Sequence, residues 1–230
     1  LNATPKFELT IPSTQQTVKY RPYLVKEEKI LLLAFESKDE KQSMQAMVDT
    51  IEACIEDIID VGKLTSFDVE YMFTQIRSKS VGETGKVGMI CSECEHRTPT
   101  DIDLSTVEIV IPDIDNKVKL TDEIVLELKY PSFQIFVDNY TKGINESEFS
   151  FMVIRNCILA VQTAEERITM EGIADEEIDN FIDSLSSAQF KEVNDFISSM
   201  PSLEKDVEFK CENCGHENKS KLKGIQDFFS

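Results

Sequence analysis

Two pairs of cysteines carry the clearest chemistry in the chain. Cys91 and Cys94 lie in "CSECEH", and Cys211 and Cys214 lie in "CENCGH", so the spacing Cys-x-x-Cys-x-His occurs twice. Thiolates are soft ligands, and a tetrahedral zinc takes four of them. Two intervening residues let the chain curl until both sulfurs face one point, which makes each pair half of a site. Together Cys91, Cys94, Cys211 and Cys214 form the expected ligand set of one structural Zn2+. Four thiolates leave the metal no open position for water, so the site reads as structural and not catalytic. Residues 95–210 intervene, but the cost of closing so long a loop grows only logarithmically. Three other readings stand beside this one: free thiols, separate redox dithiols, or half-sites completed by another chain. A redox dithiol wants a helix start in a βαβ unit, and neither pair has that context.

The chain has two histidines, His96 and His216, each two residues past a second cysteine. Either could ligate. With four cysteines available, the commoner role of such a histidine is support of the turn by hydrogen bonding. Cys54 and Cys157 sit within apolar helical patterns and read as small core residues.

The elements that must position these thiols are strands. "VGMIC" and "VEFKC" each run into a first cysteine, and extended polar chain follows each second one. Two such hairpins make a split zinc ribbon. Around them, "FELTI" and "TVKY" read as a strand pair turning through "PSTQQ", and a helix begins near Val25. Met44, Met47, Val48, Ile51, Ile55, Ile58 and Ile59 predict one face of a second helix closed by Gly62. Val69, Met72, Phe73 and Ile76 predict a third from about Ser66. Residues 101–130 read as hairpin-rich extended chain, with 121–129 open between strand and helix. Residues 149–160 are nearly apolar all round and predict a buried helix. Two amphipathic helices follow, with Ile178, Phe181, Ile182 and Leu185 on one and Phe190, Val193, Ile197 and Met200 on the other. Ser186 and Gln189 stand at capping-box spacing, and Pro201 stops the second of these helices. In "GIQDFF", Ile225, Phe228 and Phe229 predict a short helical turn docked on the chain's own core, with a partner as the alternative. The fold class is α+β, mostly helical with short antiparallel strands. Four segments are expected: 1–85, 86–130 with the first knuckle, 131–203 helical, and 204–230 with the second knuckle. Segments 86–130 and 204–230 are expected to pack as one zinc ribbon.

Composition narrows the functional classes. Asp plus Glu is 43 against 24 Lys plus Arg, a formal charge of −19. Such a surface repels phosphate backbones, so no nucleic-acid partner is expected. No apolar run approaches the ~18–20 residues that span a bilayer, and the first residues lack the basic-then-apolar pattern of a secretory signal. The cytoplasm, where disulfides are disfavoured and metal binding favoured, is the expected compartment. The chain contains no GxxxxGK[ST], GxGxxG or GxSxG, and no nucleophile with a base near it in sequence. These absences favour a binding or structural role over an enzyme.

Blocks beyond the cysteines carry a specific resemblance. "YRPYLVKEEKILLLAFES", "FDVEYMFTQIRSKSVGE", "VKLTDEIVLELKYP", "FKEVNDFISSMPSL" and "CENCGHENKSKLKGIQDFF" resemble, in order, the T-even-type phage baseplate hub protein family. The blocks span nearly the whole chain. The resemblance implies a non-enzymatic viral protein, a hub subunit or hub assembly factor of a contractile tail. It implies other baseplate hub proteins as partners, with self-association as a further option. Its place would be the host cytoplasm during infection, and the tail baseplate if the protein stays in the particle. The family's cysteine pairs correspond to Cys91, Cys94, Cys211 and Cys214, and it carries no catalytic residues. A different reading of the same knuckles is a zinc-ribbon adaptor for a transcription or replication complex.

Overall fold

The computed structural model describes residues 4–140 and 145–228. The chain forms two compact units, Leu1–Val110 with Pro201–Ser230, and Ile111–Met200. The fold mixes helices with short antiparallel sheets.

The first unit opens with the antiparallel pair β1 (Phe7–Thr10) and β2 (Thr17–Tyr20). Helix α1 (Val25–Glu36) follows, and its third residue, Glu27, reaches back to accept the Leu24 N–H at 2.8 Å. Asp39 caps α2 (Glu40–Cys54) by accepting the Gln42 N–H. That helix stops well before the expected Gly62. Ile55 turns extended and bridges Tyr20. The Arg21 N–H donates to the Cys54 carbonyl, and the Glu56 N–H donates to the Lys19 carbonyl. The edge of β2 thus captures the chain, and Ile58, expected on the inner face, is fully exposed. Thr65 and Asp68 form a reciprocal capping box for α3 (Ser66–Val81), whose Val69, Met72, Phe73 and Ile76 are buried as the periodicity predicts. A hairpin, β3 (Thr84–Ile90) and β4 (Arg97–Asp103), and the short β5 (Glu108–Val110) complete this stretch.

The chain then builds the second unit. Strands β6 (Lys117–Lys119), β7 (Val125–Leu128), β8 (Ile158–Gln162) and β9 (Arg167–Thr169) form one antiparallel sheet in that order. The open stretch at 121–129 therefore contains a strand. Helices α4 (Phe133–Asn139) and α5 (Glu146–Cys157) connect β7 to β8. The buried helix expected over 149–160 ends at Cys157, whose carbonyl accepts the Lys129 N–H at 2.7 Å, and the chain continues as β8. The helix is not apolar-buried all round, since Phe151 is almost half exposed. Helices α6 (Asp175–Asp183) and α7 (Ser187–Ser198) follow, with the Ser186–Gln189 capping box in place. Leu126, Leu128, Ile154, Ile158, Ile182 and Val193 form the centre of this core. Across the sheet, Arg167 donates to the Glu127 carboxylate at 2.6 Å.

The chain returns to the first unit through β10 (Ser202–Lys210), which pairs with both β5 and β11 (Glu217–Lys223). Helix α8 (Gly224–Phe228) ends the described chain. Phe228 is buried among Val87, Leu104, Val207 and Leu222, and Ile225 packs against the same cluster, so these two residues dock on the chain's own core. Phe229 lies outside the described residues. Among the described residues no helix is long and apolar enough to cross a membrane.

Candidate metal centre

The two hairpin turns bring all four thiols to one point. The sulfurs of Cys91, Cys94, Cys211 and Cys214 lie within 4.8 Å of one another. Cys91 and Cys214 sulfurs are 3.6 Å apart, as are those of Cys94 and Cys211. A tetrahedron with arms of about 2.3 Å has edges of about 3.8 Å. The donor set therefore fits one four-coordinate ion, and all four cysteines are free thiols.

The hairpins are copies of one another. In the first, the Cys91 N–H donates to the His96 carbonyl, and the Glu95 N–H donates to the Cys91 carbonyl. In the second, Cys211 N–H meets His216 carbonyl, and Gly215 N–H meets Cys211 carbonyl. Both histidines thus support their turns through main-chain carbonyls. Among the described residues neither joins the sulfur group.

Groups across the site lock the two turns together. Asn218 is buried, and its side-chain oxygen accepts from the Ser92 N–H at 2.9 Å and the Ser92 hydroxyl at 3.0 Å. Its amide nitrogen donates to the Cys91 sulfur and to the His216 carbonyl. Thr98, the buried counterpart in the first hairpin, accepts the Glu212 N–H at 3.3 Å. The Asn213 amide donates to the Cys94 sulfur. The sequence reading missed Asn218, Thr98 and Asn213; the recurrence of a polar residue seven positions past each first cysteine was the available signal.

The electrostatics suit a cation. Burial raises the Cys91 thiol, but the N–H groups of Cys94 and Glu93 and the Asn218 amide outweigh it, and the thiol is lowered. The Cys214 N–H is the chief cause that brings Cys211 down to about 6. At Cys214 the His216 N–H lowers the thiol, yet the crowded sulfurs of Cys94, Cys91 and Cys211, with burial, push it up to about 12. Four sulfurs in this space cannot all ionise unaided, because each thiolate raises its neighbours. A dication would release that constraint. The four cysteines could hold a metal ion as four soft donors with no vacant position.

A third turn of the same shape occurs where no cysteine stands. Ile11 N–H donates to the Gln16 carbonyl, and Gln15 N–H donates to the Ile11 carbonyl, matching both knuckles bond for bond. The strand registers match too: Leu9 faces Val18, Met89 faces Thr98, and Phe209 faces Asn218. Ile11, fully buried, occupies the place of Cys91 and Cys211. The Ser13 N–H stands where those of Glu93 and Asn213 turn to sulfur, and donates instead to the Asp68 carboxylate of α3 at 2.9 Å. The repeat read in the sequence as twofold is threefold in the backbone.

Comparison with known proteins agrees with the family resemblance read from the sequence blocks. The family model described as "T4 bacteriophage base plate protein" matches residues 4–230. The curated "Baseplate hub assembly protein gp26" of Enterobacteria phage T4 is 21% identical over 179 residues, covering 78% of this chain and 79% of that protein. No solved structure matches. With the family model spanning nearly every residue from the first hairpin to the last helix, the chain belongs to the T4 bacteriophage base plate protein family.

Proposed function

We propose that this chain is a non-enzymatic protein that acts in assembling the central hub of a contractile-tail baseplate, in contact with other hub proteins. The observation that carries the reading is the family match over residues 4–230, and the hub assembly role named for the T4 relative supports it. Within that role, Cys91, Cys94, Cys211 and Cys214 hold a structural Zn2+. The convergence of four sulfurs at tetrahedral spacing supports this ligand set. Bound zinc would supply charge neutralisation and a fixed crosslink. The residues do the rest: main-chain N–H groups and the Asn218 and Asn213 amides hold the sulfurs in place.

The assembly role and the zinc are tested separately. Co-production with the hub proteins of the same phage should yield a stable complex, and deleting the gene should abolish normal baseplates. Normal baseplates without the gene, together with no binding to any hub protein, would remove the assembly role. Elemental analysis of purified protein should give one zinc per chain, lost in Cys214→Ser and kept in Cys54→Ala. Metal-free protein of unchanged thermal stability would remove the zinc.

A further inference from the structure

The four sulfurs of the cluster are not equivalent. Cys91 and Cys211 are buried, at 1% and 2% exposure, Cys94 is half-buried, and Cys214 is exposed. Hydrogen bonding is as uneven. The Cys91 sulfur accepts from the N–H groups of Glu93 and Cys94 and from the Asn218 amide. The Cys211 sulfur accepts from the N–H groups of Asn213 and Cys214, and the Cys94 sulfur from the Asn213 amide. At Cys214, among the described residues, one N–H group turns to the sulfur, that of His216. An N–H donor stabilises a thiolate and makes it a weaker nucleophile. Cys214 therefore combines the greatest exposure in the cluster with little restraint on its sulfur. Its neighbour on the opposite hairpin, Cys91, has its sulfur 3.6 Å away. A disulfide needs about 2.05 Å, so a shift of about 1.5 Å, within reach of a rotating side chain, joins the two.

We propose that Cys214 is an oxidative modification site, through which a hydroperoxide converts the metal-held pairing of the two hairpins into one held by a Cys91–Cys214 disulfide. The proposal rests on the zinc reading and names a regulation of that same site. When bound, the dication keeps the four sulfurs as thiolates. The Cys214 thiolate attacks one peroxide oxygen. An S–O bond forms, the O–O bond breaks, and the departing oxyanion takes a proton from water. The Cys91 sulfur then attacks the sulfur of the resulting sulfenic acid. An S–S bond forms, the S–O bond breaks, and hydroxide leaves to be protonated by solvent. Two thiolates lose two electrons, which the cleaved O–O bond gains. Two thiolate donors remain, too few for a four-coordinate ion. The hairpins stay joined, because a bond between residues 91 and 214 closes the same long loop. Cys54 and Cys157 take no part: both are buried, and burial pushes their thiols up to about 11 and about 12.

The test uses the full chain, first analysed for zinc and then treated with hydrogen peroxide in the absence of air. A chromogenic zinc chelator should report release of the metal as peroxide is added. A sulfenic-acid trap present during the reaction should label Cys214 at least about tenfold more than Cys91, Cys94 or Cys211. Peptide mass mapping of untrapped protein should find Cys91 joined to Cys214, and a thiol reductant with Zn2+ should restore the starting state. Amides of β3, β4, β10 and β11 should keep hydrogen-exchange protection within about tenfold of the loaded protein, whereas the reduced, chelator-stripped protein loses far more. A trap label that favours another cysteine, a disulfide within one hairpin, or zinc retained in excess peroxide overturns this inference and leaves the zinc reading standing. Protein that takes up no zinc removes the zinc reading, and this inference with it.

Discussion

Glu95 and Gly215 follow the second cysteines of their hairpins, and both adopt the left-handed conformation, with φ of 55° and 74°. Glycine holds this conformation without a Cβ clash, whereas glutamate is strained there. Glu95→Gly should therefore stabilise the protein by about 0.5–1 kcal/mol, after allowance for the greater freedom of glycine in the unfolded chain. Gly215→Ala should cost a similar amount. A Cβ there meets only the Lys210 stem at 3.8 Å, an ordinary contact, so the cost is that of the backbone. Urea titrations read both as midpoint shifts at constant slope, and no shift in either would show that the turns do not carry this strain. The positions of the thiols were legible because Cys-x-x-Cys spacing is a local property of the chain. The recurrence of a polar residue seven positions past each first cysteine marked the place of Asn218 but not its role, because the Ser92 groups it binds are distant in sequence and meet it only once the knuckles face each other.

Helices whose signals are local emerged from the sequence intact. The apolar stripe of α3 and the Ser186–Gln189 box of α7 depend on neighbours three or four residues away. The far end of α2 did not, since its termination at Cys54 is imposed by β2 from a distant part of the chain. The first hairpin was legible as a strand pair, but its likeness to the two knuckles was hidden, because it lacks their cysteines and its turn is held by a carboxylate from another element. Asp68, fully buried, accepts from the N–H and hydroxyl of Ser13 at 2.9 and 2.5 Å, and from those of Thr65 at 3.1 and 2.6 Å. Asp68→Ala should cost about 2–4 kcal/mol, because four donors lose their acceptor. Ser13→Ala should cost less, and a double-mutant cycle should show coupling between the two; additive losses would deny the link. Helix α3 carries a second such contact. Burial pushes Glu70 from its ordinary value near 4.5 up to about 7, although the Ile225 N–H at the start of α8 opposes the shift. Below about pH 4.5 the group is protonated in both states and contributes nothing. Between 4.5 and 7 the folded state binds more protons than the unfolded one, so stability falls as pH rises, and above 7 the full cost is present. Glu70→Gln should then gain on the order of 1–2 kcal/mol over the parent at pH 8 and little at pH 5. Parallel stability profiles for the two proteins would show that Glu70 titrates normally.

At the scale of the molecule, the chain leaves the first unit after Val110 and returns at Pro201. That departure falls in extended chain on both sides, with β5 before it and β6 after it, so composition does not change there. Each unit has its own apolar centre. Leu104, Val207 and Phe228 belong to the first, and Leu126, Ile154 and Val193 belong to the second. The four thiols all lie in the first, on the hairpins β3–β4 and β10–β11 that bracket the departing chain. A metal held there would close the long loop at its base, and a structural zinc is worth on the order of 10 kcal/mol of folding free energy. Chelation should therefore act on one unit. Amides of β3, β4, β10 and β11 should lose hydrogen-exchange protection by several orders of magnitude, while those of β7, α5 and α7 keep theirs. The melt should split, with one transition displaced downward and restored by one equivalent of Zn2+. The second unit draws no ligand from the thiol cluster, so its transition should hold its place; a uniform loss of protection across both units, or no change in either, would show that the thiol cluster does not confine its stabilisation to the core that contains it.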